Sequence, residues 1–336
     1  MKTFIQRVLF LFTAMFVFQV PSAHAVVTIK IATLAPEGST WDKALRMMAA
    51  DWAAITQGEV KVKIYSGGVA GNETVMLRKI RIGQLHGAAM TNLGLIEIAP
   101  AAQVTATPML IRNYGEYDYV MEKMTPMFNQ RIEDGGFIPL SWADAGWVRL
   151  FTKSPLKHPS ELGNHKFYAW EGDPASVEMF KAGGMNPVVV AATDVMPSLQ
   201  SGLINGFPST PLGALALQWF GVAPHMLEVP WGPLTAITVL SKDAWEMIPA
   251  KYHAELRASA RKVGETINPT VRKQDQKAIE VMKRYGLVVH EVDAAALADW
   301  EEAAKKFWPI ARSKWVPAEV FDETQALLKA YRAQNP

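Results

Sequence analysis

Between Val27 and Asn92 the apolar residues alternate between a strand period of about two and a helix period of about 3.6, and few folds accept that order. Val27–Thr33 (VTIKIAT) alternates as a strand. Ser39 or Thr40 can cap a helix whose Trp41, Leu45, Met48, Trp52 and Ile55 form one buried stripe, ended by Gly58. Val60, Val62 and Ile64 alternate with Lys61 and Lys63, which reads as a strand with one wet face. Gly67, Gly68 and Gly71 make a loose turn. Asn72 caps a second helix carrying Val75, Met76, Leu77 and Ile80, stopped by Gly83. Residues 87–90 form a small-residue strand with Thr91 and Asn92 at its exit. The order β-α-β-α-β predicts an α/β protein with an open parallel sheet. Ligands of such sheets sit beyond the carboxyl ends of the strands, here residues 34–40, 66–72 and 91–95.

The middle of the chain has the same texture. Strands are expected at 147–152, 166–170 and 187–190, with helices at 176–182 and 195–201 and a turn-rich stretch at 153–162. Residues 242–285 read as a long helical region with Pro269 as a kink and Gly286 as its stop. A strand at 287–292 and amphipathic helices at 299–308 and 319–331 finish the chain. The middle therefore reads as an inserted second α/β unit, left near Ala145 and closed by a return across 229–240. The expected division is 26–145 plus 230–290 as lobe I, 146–229 as lobe II, and 291–336 as C-terminal helices packed across both. Two crossings make a hinge, and a hinge between α/β lobes makes a cleft that can close on a ligand.

A chain of 336 residues is long enough for two such lobes. It has no cysteine, which excludes disulfides, cysteine-based metal sites, thiol catalysis and a lipoprotein anchor. Lys2 and Arg7, the apolar residues 8–18, Pro21 and Ala23-His24-Ala25 read as a secretory signal cleaved after Ala25. The apolar run is shorter than the ~20 residues needed to span a bilayer, so an exported protein is expected. Without Lys2 and Arg7 the charges balance at 32 against 32, which gives no electrostatic reason for a nucleic-acid or anionic-membrane partner.

Catalytic patterns are absent from the sequence: there is no G-x-S-x-G, no HExxH, no EF-hand loop and no Walker lysine. GGVAGN at 67–72 does not fit a nucleotide loop and is explained by a turn and a helix cap. His86, His158, His165, His225, His253 and His290 show no i,i+4 pair, and only His158 and His165 flank one loop, so neither metal nor cofactor is expected. Trp142, Trp147, Trp170, Trp219 and Trp231 fall in or beside the insert, where some are core and at least one is expected to line the cleft.

These segments together resemble a family. IATLAPEGST (31–40) is similar to the first strand and loop of the solute-binding proteins of tripartite ATP-independent periplasmic (TRAP) transporters, the DctP-like group. VKVKIYSGGVAG (60–71) resembles that family's "v.v.vyp.g.lG" segment, and IRIGQLHGAAM (80–90) its "v..G.ldm". SELGNHKFYAW (160–170) looks like "dLkGlKiRv", and LQSGLINGFP (199–208) like "ALqtGvvDgq". The resemblance implies a two-lobed periplasmic binding protein fold, with hinge crossovers and a long helix spanning both lobes. It implies capture of a small ligand by closure and delivery to the membrane permease subunits.

The resemblance also implies an arginine that grips a ligand carboxylate. Tyr168 stands in its place, and Asn205 replaces the usual aspartate. A guanidinium gives two parallel charge-assisted bonds, a phenol one weaker bond and an apolar ring. A neutral or hydrophobic ligand is therefore expected, as in a variant branch that works with a helical-repeat periplasmic partner. The alternative is an ordinary organic-acid binder in which Lys166 or Arg149 substitutes. Expected ligand contacts are Glu37, Trp41, Gly71, Asn72, Thr91 and Asn92 in the first lobe. In the second they are Trp147, Arg149, Tyr168, Trp170, Phe207 and Ser209. An exported enzyme, or a ligand-sensing partner of a membrane receptor on the same fold, are the rival functions.

Overall fold

Strand β1 (Val27–Thr33) pairs in parallel with β2 (Val60–Tyr65) on one side and β3 (Gly87–Thr91) on the other. This is a computed structural model, and it describes residues 26–335; the signal-peptide reading lies outside those residues. The crossover helices are α1 (Thr40–Ile55) and α2 (Glu73–Arg81). Both begin at side-chain caps, Ser39 accepting from the Asp42 amide and Asn72 from the Val75 amide. The α1 stripe buries Leu45, Met48 and Trp52 against Ile29 and Ile31. Trp52 is fully buried, and truncating it to alanine would cost about 3–5 kcal/mol.

After α3 (Tyr114–Asp134) comes β4 (Phe137–Thr152), a strand of 16 residues. It leads to β5 (Lys166–Trp170), α4 (Pro174–Ala182), β6 (Asn186–Val190), α5 (Val195–Ser201), β7 (Gly206–Ser209) and α6 (Pro211–Ala216). The return is β8 (His225–Ser241), 17 residues long. Then come α7 (Lys242–Glu246), α8 (His253–Arg284), β9 (Val288–His290) and helices Ala294–Ala304 and Ala318–Gln334.

The strands form one path, β2-β1-β3-β8-β4-β7-β5-β6, with β9 on β8. The sheet is mixed: β3–β8, β8–β4 and β4–β7 are antiparallel, whereas β5 pairs in parallel with β6 and β7. The long strands β4 and β8 thread both lobes. Their register slips between Asp144 and Gly146. Gly146 has φ +107°, and a Cβ there would meet Asp275 and Thr210 within 3 Å, so only glycine fits.

Helix α8 has 32 residues, about 48 Å of rise. Leu256 and Ala260 near its start pack with Ile29 and Trp52, while Met282 near its end packs with Phe207 and Trp219. It therefore spans both lobes. Leu287 packs in the same cluster as Met282, and β9 pairs with residues 225–227. The C-terminal segment touches both lobes, through Trp315 Nε1 donating to Asp173 at 2.8 Å and Arg332 paired with Glu116 at 2.7 Å.

Candidate functional site

The carboxyl ends of β1 and β3 face the ends of β5 and β7 across a cavity of about 630 Å³, in the range of ligand pockets. From the first lobe come Leu34, Trp41, Met48, Glu73, Met90 and Thr91. Strand alternation aims Ser141, Ala143 and Ala145 of β4 and Leu234, Ala236 and Thr238 of β8 into it. From the second lobe come Tyr168 and Trp170 of β5, Met179 and Phe180 of α4, and Ser209 and Thr210. Val263, Gly264 and Ile267 of α8 close the back.

The structure sorts the expected contacts. Trp41, Thr91, Tyr168, Trp170 and Ser209 line the cavity. Trp41 also ties α1 to β4, its Nε1 donating to the Asp144 carbonyl at 3.1 Å. The others lie elsewhere. Glu37 points outward, 82% exposed and paired with Arg46 at 3.3 Å. Gly71 serves the turn: its φ is +98° and a Cβ would collide with Val75. Asn92 is fully buried and bonded to Gln103. Trp147 is core, edge-on to Tyr114 at 5.2 Å, and Phe207 is core, stacked on Phe151 at 5.0 Å.

Arg149 is not a free cation. Its Nε and Nη2 both donate to Glu228, at 3.1 and 2.9 Å, and Val148 takes the cavity side. Lys166 is exposed and does not line the cavity either. No lysine, arginine or histidine among the described residues lines it. Asn72 bridges the lobes: while capping α2, its Nδ2 donates to Glu171 just past β5 at 2.9 Å.

Two ionisable side chains line the cavity, Glu73 and Tyr168. Glu73, the first residue of α2, accepts from the Thr91 amide at 2.8 Å and the Thr91 hydroxyl at 3.0 Å. Burial outweighs those bonds and pushes its carboxyl up to about 7. The Tyr168 ring is edge-on to Trp219, and its buried hydroxyl has no hydrogen-bond partner among the described residues. Burial, then the nearby Glu73 and Glu171, push that phenol well above its ordinary value. Glu73 escaped the sequence reading because the segment 66–72 stopped one residue short; an acidic residue right after a cap at a strand exit is the signal that would find it.

Comparisons with known proteins agree along the chain. The C4-dicarboxylate-binding periplasmic protein DctP of Rhodobacter capsulatus is 23% identical over 251 residues, 74% of this chain and 75% of that protein. The 2,3-diketo-L-gulonate-binding periplasmic protein YiaO of Escherichia coli is 22% identical over 248 residues, 73% of this chain and 75% of that one. Among solved structures, a TRAP periplasmic solute-binding protein of Sulfurospirillum deleyianum with bound succinate superposes with TM-score 0.83 at 19% identity, covering 89% of this chain and 98% of that chain. One from Pseudomonas putida with bound D-glucuronate gives 0.81 at 21% identity, covering 89% and 96%. The family described as bacterial extracellular solute-binding protein, family 7 (DctP), matches residues 31–314. A match of that extent, over the same two-lobed fold, means that the chain belongs to the DctP family of TRAP periplasmic solute-binding proteins.

Proposed function

We propose that this protein captures a small organic acid between its lobes in the periplasm and delivers it to the membrane subunits of a TRAP transporter. The observation that carries the reading is the cavity itself, placed where two sets of strand ends meet and bridged by Asn72 and Glu171. Trp41, Thr91, Tyr168, Trp170 and Ser209 are the proposed contacts, joined by Glu73. Residues 26–145 and 146–229 are the proposed closing bodies, joined through β4, β8 and α8. Kinship favours the organic acid: the proteins compared bind dicarboxylate, diketogulonate, succinate or glucuronate. The relatives give no support for a helical-repeat partner.

One observation favours a second reading, an uncharged and largely apolar ligand. Among the described residues the lining holds no cation, and tryptophan, methionine and small apolar residues dominate it. Native mass spectrometry of residues 26–336, purified without refolding, separates the two. A co-purified carboxylate supports the first reading and an uncharged lipid-like molecule the second. A chain that carries no small molecule and is stabilised by neither class would remove both.

A further inference from the structure

An organic acid raises an electrostatic problem in this cavity. A carboxylate moved from water into apolar surroundings without a charge partner loses hydration that nothing there replaces. The relevant partners are missing: Arg149 is committed to Glu228, and Val148 stands on the cavity side. What the wall offers instead is a second carboxyl group, Glu73, beside a phenol hydroxyl with no bond of its own. Two carboxylates cannot both ionise at close range in a low-dielectric site, but they can share one proton.

We infer that an anionic ligand enters this cavity together with a proton, which Glu73 holds and donates to the ligand carboxylate while the Tyr168 hydroxyl donates to its second oxygen. The inference rests on the organic-acid reading. The proton comes from solvent, and no other bond is made or broken. The groups packed on Glu73 permit this. From β3 the Thr91 amide and hydroxyl hold it, with the Gly94 amide just beyond the strand, and from β5 the neighbours are Tyr168 and, beyond it, Glu171, already engaged by Asn72. No cation faces it from the cavity lining. Its carboxyl titrates near neutrality in the free protein, so placing the proton there at periplasmic pH takes little work. The arrangement replaces a fixed guanidinium charge with a recruited one.

The test uses succinate, indole-3-acetate and octanoate, each beside its amide, with the chain 26–336 and its Glu73→Gln variant. Binding is read by titration calorimetry at pH 5.5 and 8.0. The expected result for the unaltered chain is an acid affinity that falls about tenfold between the two pH values, as one linked proton titrating near 7 requires. Glu73→Gln, permanently uncharged, should bind the acid equally at both, and the amides should show no pH dependence. Calorimetry in two buffers of different ionisation heat supplies a check that needs no variant, with about one proton taken up per acid at pH 8.0. Equal acid affinity at both pH values, or no proton uptake at pH 8.0, overturns the inference. Amides that bind while their acids do not also overturn it but leave the cavity as the ligand site. Failure of all six probes overturns both.

Discussion

At the scale of single residues, Tyr168 is the most informative side chain. Among the described residues no group loses a partner when its hydroxyl goes, since the hydroxyl has none there. Tyr168→Phe should therefore change the stability of the ligand-free chain by less than about 0.5 kcal/mol, measured by urea unfolding. Ligand affinity should fall about fivefold, the worth of about one hydrogen bond. A large loss of stability with unchanged affinity would mean that the hydroxyl serves the fold and not the ligand. The expected contacts that line the cavity include ones placed by local geometry. Tyr168 and Trp170 share a strand face by alternation, and Thr91 stands at a strand exit. Glu37 and Arg149 lie off the cavity wall, each held by a charge partner that the sequence does not show. Arg46 lies 9 positions from one and Glu228 lies 79 from the other, and only the tertiary fold pairs them.

At the scale of elements, α1 and α2 were legible, whereas α3 went unread and only residues 147–152 of the two longest strands were expected as strand. Caps and apolar stripes placed α1 and α2 almost to the residue. Strands β4 and β8 contain Pro139, Gly146, Pro230, Gly232 and Pro233, which read locally as breaks. Register slips near Pro139 and Gly146 absorb two of these irregularities, a tertiary solution invisible to a local pattern. The same strands set a limit on α8. A Cβ at Gly264 would lie 2.5 Å from the Trp142 carbonyl oxygen of β4. Gly264→Ala should improve helix propensity by about 1 kcal/mol. We nevertheless expect a net loss of more than about 1 kcal/mol in urea unfolding, because backbone oxygen cannot step aside as a side chain can. A net gain would show that helix and sheet can separate there without penalty.

At the scale of the whole molecule, the two-lobed plan followed from the inserted pattern, whereas the span of α8 from one core to the other was expected from the family resemblance alone. Its buried residues follow one stripe, and nothing in that stripe announces a change of partner. The Asn72–Glu171 bond is the polar bridge across the cleft between α2 and β5. Asn72→Asp keeps an equally good helix cap while setting like charges face to face. It should shift the ligand-free chain toward the open arrangement, and adding Glu171→Lys should restore closure. Spin labels at Lys61→Cys and Asn186→Cys report this directly, since the chain has no cysteine of its own. An unchanged distance distribution in Asn72→Asp would assign closure to the hinge alone.

Five of the eleven tryptophans, Trp41, Trp170, Trp219, Trp231 and Trp315, line the cavity. Indole emission shifts in colour with the polarity and mobility of its surroundings. A ligand that displaces solvent there changes the light from nearly half the emitters in the molecule at once. The protein is thus built as its own optical gauge of occupancy, readable without a dye, a tag or a labelled solute.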